Sequence, residues 1–347
     1  MKKNFLLSIG LILLLVSACK KDDNTEARIG CTITDLEAQP FNDFQVIASH
    51  NSYRIKTYAP IYNLLNLAIQ ILPDGIIPPE ANPILEWDYN HVNFEKQFTD
   101  YHVRSLEIDI YHDPEGGLYA DRYGKVLAGQ PVASGEPALD EPGLKVLHIP
   151  HLDYMTHYLT WKESLSAILD WSYEHPNHFP ISVMIELKDF GDAALISELV
   201  LPFSEEAKKG IATELLSVFP EDKIFKPSDL RTEEDLEKSI KENGWPSIAE
   251  MRGKVIFIAM GHDEIEETIF GSNSNIVQNG NNIFKIMNDP VSDFDEIKEA
   301  IENGFIVRTR ADAGTTQART GDTRDRDVAF ESGAQIVSTD YYRADPR

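Results

Sequence analysis

Polar residues able to move protons or hold a cation recur at the ends of apolar, strand-like runs. Ser49-His50-Asn51-Ser52-Tyr53 closes the run Phe44–His50, and Glu107 and Asp109 lie within Val103–Tyr111. His148 sits near the end of Leu144–Ile149, and Glu186 and Lys188 near the end of Ile181–Lys188. Arg308, Arg310 and Asp312 end the run Phe305–Asp312, and Thr339-Asp340-Tyr341 ends Gln335–Tyr341. Side chains two apart on a strand share a face. Glu107 therefore projects with Asp109, Glu186 with Lys188, and Arg308 with Arg310 and Asp312. Ionised groups on one face of a buried strand are costly unless paired, solvated or bound to metal. A single such pair is accounted for by a structural ion pair, whereas their recurrence at four strand ends points to a site. The hard oxygen donors Asn51, Glu107, Asp109 and Glu186 suit calcium or magnesium better than zinc. Two histidines beside such an ion suit acid–base work on a phosphodiester, and lysine and arginine suit the phosphate.

The elements that must position these groups follow from periodicity. A seventh strand-like run is Lys254–Met260. Between the runs, Trp161–Glu174 has Leu165, Ile168, Leu169 and Trp171 at helical spacing. Ala193–Leu201, Glu205–Val218, Thr232–Glu242 and Phe294–Glu302 also read as helices, the last with Asp293 as a candidate cap. Alternating strands and helices imply a parallel sheet. A chain of 347 residues with seven or eight such units closes most naturally as a (β/α)8 TIM barrel, which carries its chemistry at the C-terminal strand ends. An eighth strand is expected between residues 189 and 250, with Lys223–Lys226 the best candidate, and the barrel is expected to be distorted there.

Residues 55–91 form a long insertion, with a helical piece at Tyr62–Ile71 and a proline-rich run from Pro73 to Pro83. Its leucines and isoleucines argue against disorder, leaving local packing or a lid or lipid-facing rim beside the site. Residues 113–142 form a second long loop, rich in Gly and Pro and without a basic cluster. Of the remaining histidines, His112 reads as a solvated loop residue, and His151 is a rival to His148 three positions on. His175 and His178 flank the turn before the fourth strand and read as structural.

The N-terminus reads as a targeting segment. Lys2 and Lys3 precede the apolar stretch Phe5–Val16, which is too short for a comfortable membrane span. Val16-Ser17-Ala18-Cys19 resembles a bacterial lipobox, so residues 1–18 are expected to be a lipoprotein signal peptide and Cys19 the lipidated residue. Residues 19–41 would then be a tether and lead-in, and 42–347 a single catalytic barrel, expected to be monomeric. The expected location is the outer membrane, on its periplasmic or cell-surface face, with the membrane reached through the lipid anchor. A net charge of −25 argues against nucleic-acid binding. With Cys19 lipidated, only Cys31 remains and no intramolecular disulfide can form.

The order of these motifs carries a resemblance. Ser49-His50-Asn51-Ser52-Tyr53, Glu107-Ile108-Asp109, His148-Ile149-Pro150-His151-Leu152-Asp153-Tyr154 and Glu186-Leu187-Lys188 look like the catalytic half of the phosphoinositide-specific phospholipase C family. The bacterial calcium-dependent branch is the better match. His175-Pro176-Asn177-His178-Phe179-Pro180-Ile181, Gly244-Trp245-Pro246, Arg308-Thr309-Arg310-Ala311-Asp312 and Val337-Ser338-Thr339-Asp340-Tyr341 extend the likeness over residues 42–342. The metal-independent bacterial members place an arginine where Asp109 stands here, which favours a cation. The resemblance implies a distorted barrel of the phospholipase C-like phosphodiesterase type. It also implies attack of the inositol 2-hydroxyl on phosphorus, giving diacylglycerol and a cyclic phosphate. Under it, His50 and His148 are catalytic, with His148 protonating the leaving oxygen. Asn51, Glu107, Asp109 and Glu186 hold Ca2+, Lys188 and Arg310 bind substrate, and Tyr341 packs on the sugar ring. Two other readings stay open: a glycerophosphodiester phosphodiesterase, whose usual His-Arg-Gly is here His50-Asn51-Ser52, and a non-catalytic surface lipoprotein that binds inositol phosphates or glycans.

Overall fold

Alternating apolar residues on the strands divide the molecule into an interior and an outer layer. The computed structural model describes residues 33–71, 83–188, 200–230, 236–260, 277–278 (backbone) and 283–344. Its sheet contains β1 (Val46–Ser49), β2 (Ser105–Tyr111), β3 (Lys145–Val146), β4 (Ile181–Leu187), β5 (Val255–Met260), β6 (Val277–Gln278), β7 (Phe284–Ile286), β8 (Ile306–Arg310) and β9 (Ile336–Thr339). Eight of these form one path, β6-β5-β4-β2-β1-β9-β8-β7, in which every pairing is parallel. Both ends of the path come from the neighbouring stretches β6 and β7, so the sheet is a nearly closed, distorted TIM barrel.

On β2, Leu106, Ile108 and Ile110 pack outward against Trp161, Leu165 and Ile168 of the helix Trp161–Glu174. Glu107 and Asp109 alternate with them and face inward. A second buried cluster, with Ala48, Met184, Ile256, Ile258 and Ile336, joins strands from around the ring. The helix Trp161–Glu174 starts at a reciprocal capping box between Thr160 and Glu163. Glu205–Val218 begins at Ser204, whose side chain accepts from the Ala207 N–H, and Phe294–Glu302 has the expected bounds. Asp293 precedes that last helix but makes no side-chain cap; its carboxylate accepts instead from the Asp289 N–H.

Three expectations need correction. Leu144–Ile149 is not a barrel strand: only Lys145 and Val146 pair, antiparallel to the end of β2, as an arm laid beside the barrel mouth. Residues 223–226 contribute a single parallel bridge, Ile224 to Val255, and the barrel is extended instead by β6 and β7. The helix of the insertion runs Ala59–Gln70, earlier than its apolar content suggested, because Pro60 suits the first helical turn.

The signal peptide, Cys19 and Cys31 lie outside the described residues, as do most of Ala193–Leu201 and the start of Thr232–Glu242; Leu236–Asn243 is helical. Within the lead-in, Ile33–Glu37 forms a short helix, where Glu37 meets the guanidinium of Arg252 at 2.5 Å. Among the described residues, no helix is long and apolar enough to cross a membrane.

Candidate active site

The His50–Asn51 turn is built by Ser52. After β1 the chain turns sharply with Asn51 at φ 46°, a left-handed conformation that asparagine tolerates better than most residues. Ser52 then rejoins β2: its N–H donates to the Glu107 carbonyl at 2.8 Å, and its hydroxyl accepts the Glu107 N–H at 2.8 Å. Buried Gln97 grips the turn from below through Ser49 and the Ser52 carbonyl. The turn is thus held against the strand that carries the carboxylates.

Strand register brings those carboxylates together. Asp109 lies directly opposite Glu186 across β2 and β4, two residues beyond Glu107 on the same face. One oxygen from each of Glu107, Asp109 and Glu186 lies within 4.8 Å of the others. Glu107 and Asp109 are buried, while Glu186 is partly open to solvent. Arg308, arriving from β8, meets Glu107 at 2.5 Å, and Lys188 stands 3.1 Å from Asp109 and 2.8 Å from Glu186. Burial pushes the Asp109 carboxyl well up from its ordinary range; Lys188 opposes this, and Glu186 and Glu107 add to it.

The residues fit a calcium ion. Neither oxygen of buried Asp109 has a hydrogen bond of good geometry, and three clustered carboxylates form a hard, oxygen-only donor set. Asn51 is held at the same corner, its amide N–H donating to Tyr89 at 3.0 Å and its carbonyl oxygen 3.5 Å from the Tyr53 hydroxyl. Tyr53 in turn lies close enough to Asp109 for the carboxylate to raise its pKa, which burial already pushes up.

His50 faces this cluster with Nε2 3.7 Å from Glu107. Its Nδ1 meets Asp340 at 2.7 Å, and Arg310 bonds the other oxygen of Asp340 at 3.1 Å. Burial lowers the His50 pKa well below the usual range, Arg310 lowers it further, and Glu107 opposes them. His148 is in electrostatic range of His50. Its Nδ1 meets Asp153 at 2.7 Å, and the Trp87 ring stands edge-on at 6.1 Å.

The structure thus brings His50, His148, Asn51, Glu107, Asp109, Glu186, Lys188 and Arg310 to one mouth. Tyr341 lies at the same end, but its hydroxyl is engaged by the Asp88 carbonyl at 2.5 Å, tying the last strand to the insertion. His151 is turned away: it is buried, sits at φ 67° and accepts from or donates to the 121–123 segment. His112 lies beside Phe203 rather than in open solvent. His175 stacks on Trp171 at 4.2 Å, and His178 bonds Ser172, both in structural roles. Sequence reading assigned no role to Asp340, Arg308 or Asp153. Asp340 was marked by its place at the end of a barrel strand, and Asp153 by its spacing from His148.

Beside the mouth lies an exposed apolar surface. Leu64, Leu67 and Ile71 from the helix Ala59–Gln70 and its end are exposed, as are Tyr123, Val126 and Leu127 of the short helix Tyr123–Ala128. The two helices meet at Gly124, where a Cβ would strike the His151 carbonyl oxygen at 2.2 Å and the Ile61 side chain at 2.8 Å. Only glycine permits that approach.

A nearly closed parallel barrel that gathers acidic and histidine side chains at one mouth sets them where barrel enzymes carry their chemistry. Residues 40–347 match the family model described as phosphoinositide phospholipase C, Ca2+-dependent, and the chain belongs to that family of enzymes. The fold is similar to a calcium-dependent phosphoinositol-specific phospholipase C from the Gram-negative bacterium Pseudomonas sp. (TM-score 0.54, 18% identity, covering 89% of this chain and 92% of that one). It is also similar to a Ca2+-dependent phosphatidylinositol-specific phospholipase C from Streptomyces antibioticus (TM-score 0.53, 13% identity, covering 88% and 96%). No curated protein matches the chain. Ca2+ is the cofactor of the family.

Calcium is expected to raise the melting temperature of the protein relative to chelator, since a ligand bound only by the native state stabilises it. Asp109→Asn should abolish that rise and weaken calcium binding in titration calorimetry by at least about 100-fold, since loss of outer-shell partners alone costs a metal site about 10- to 100-fold. An unchanged calcium shift in the variant would remove Asp109 from the site.

Proposed function

We propose that the protein cleaves phosphatidylinositol-type lipids by a phospholipase C reaction, with the inositol 2-hydroxyl as nucleophile. The observation carrying this reading is a pair of histidines flanking the carboxylate cluster, each fixed through Nδ1 by a buried aspartate, Asp340 or Asp153. Each ring is thereby anchored on one side, leaving Nε2 for a proton transfer. In the proposed step the 2-oxygen bonds to phosphorus as the bond to the glycerol oxygen breaks. His50, beside Glu107, assists removal of the hydroxyl proton and steadies the phosphorane. His148 delivers its Nε2 proton to the departing glycerol oxygen. Lys188 and Arg310 complement phosphate or ring-hydroxyl charge. When bound by Asn51, Glu107, Asp109 and Glu186, Ca2+ would lower the pKa of the attacking hydroxyl and offset phosphoryl charge.

We also read the apolar surface of Leu64, Leu67, Ile71, Tyr123, Val126 and Leu127 as the part that meets the bilayer. It adjoins the chain segment carrying His148 and His151, the side from which the lipid leaving group would depart. The sequence reading of Cys19 as a lipidated residue, with the barrel held at the outer membrane, completes the proposal.

Incubation with phosphatidylinositol and calcium should give diacylglycerol and inositol cyclic phosphate. His50→Ala or His148→Ala should lower kcat by about 10²-fold or more, the usual contribution of a positioned acid or base. Turnover of glycerophosphocholine but not of phosphatidylinositol would favour a glycerophosphodiesterase instead. Replacing Leu67 and Ile71 with Glu should depress activity on vesicles while sparing a soluble inositol phosphodiester; equal activity on both would remove the membrane role. Metabolic labelling with palmitate should mark the wild type and not Cys19→Ser, and labelling of both would refute lipidation at that position.

A further inference from the structure

Arg54 is a fully buried guanidinium outside the cluster described above. Its Nε donates to Asp153 at 2.6 Å, its Nη1 to the Tyr89 carbonyl at 3.0 Å, and its Nη2 to Thr57 at 2.7 Å and the Trp87 carbonyl at 2.8 Å. The group lies over the Tyr89 ring at 4.2 Å. Asp153, equally buried, accepts from the Thr57 hydroxyl at 2.7 Å through one oxygen and from Arg54 through the other, which also faces His148 Nδ1. A buried ion pair is weak grounds for stability, because an apolar pair of similar volume often does as well. This pair does what apolar side chains cannot. Burial tends to raise the Asp153 pKa, but Arg54 and His148 hold it down at about 2, so the carboxylate is ionised and can only accept. His148 Nδ1 must then donate, which fixes the tautomer and turns Nε2 outward. The need is specific to this histidine: His50 directly follows a barrel strand, whereas His148 lies two residues beyond the short arm β3.

We propose that Arg54 and Asp153 are positioning residues for His148, and that they orient it as the proton donor to the leaving group. Because Arg54 also binds Thr57 near the start of the insertion and Trp87 and Tyr89 near its end, one guanidinium clasps both feet of residues 55–91 to the acid. The inference rests on the reading of His148 as the acid, and the experiment separates the two.

The test compares phosphatidylinositol, whose alkoxide leaves only when protonated, with a 4-nitrophenyl inositol phosphate, whose phenolate leaves without help. Asp153→Asn should lower kcat on the lipid by about 10²-fold with KM little changed, and on the nitrophenyl ester by less than about tenfold. Arg54→Lys should show the same selectivity in weaker form. His148→Ala is the reference. If it shows no leaving-group selectivity, the acid assignment fails. If it does and the two variants lose equally on both substrates, or lose nothing, only the positioning inference fails. Should the variants not fold, the intact protein decides. A downfield Nδ1 proton resonance lost on His148→Ala supports the inference, and its absence overturns it.

Discussion

Glu107 and Asp109 are withdrawn from water on the inner face of a central strand, where an uncompensated carboxylate costs on the order of several kcal/mol. The surrounding structure answers that cost. Arg308 reaches Glu107 from β8 on the far side of β1 and β9, and Lys188 reaches Asp109 from the adjacent strand. Leu106, Ile108 and Ile110 alternate with the acids and pack against the helices, so the strand cannot slip by one residue without exchanging charge and core. Ser52 then folds the histidine turn onto the same strand. Fold and site are therefore one constraint: the packing that locks the register also aims the acids.

The two histidines stand in different electrostatic settings. His50 lies among Arg310 and Arg308, and burial together with these cations favours its neutral form, able to accept a proton. His148 instead meets the buried carboxylate of Asp153 through Nδ1 at 2.7 Å, with Arg54 on the same oxygen. Two residues of one type are thus given different surroundings by their neighbours.

The legible part of the sequence was the part governed by local rules. Trp161–Glu174, Glu205–Val218 and Phe294–Glu302 have helical periodicity, and the first two are opened by capping side chains; all three helices have the expected bounds. The strands carrying Glu107-x-Asp109 and Glu186-x-Lys188 announced their shared faces through a period of two. Leu144–Ile149 misled because an apolar run reports extended backbone and not its partner or direction. β6 and β7 have two and three residues, too few for a pattern. In the site, residue types were legible and partnerships were not. His50 and Asp340 are separated by 290 positions, and Arg54 and Asp153 by 99, so only the closed barrel joins them.

The placement of His148 two residues beyond an arm, rather than on the wall, changes which neighbours a substitution there disturbs. The barrel strands must satisfy ring closure, so a substitution in one is felt by its neighbours on both sides. The arm pairs with β2 through only two residues, Leu144 and Val146 pack into the core beside it, and Asp153 beyond it is tied to Arg54 and His148. A change in this stretch is therefore felt first at Leu144, Val146 and Asp153 rather than around the ring. The acids on the wall answer to ring closure, whereas the histidine beyond the arm answers to Asp153 at its Nδ1.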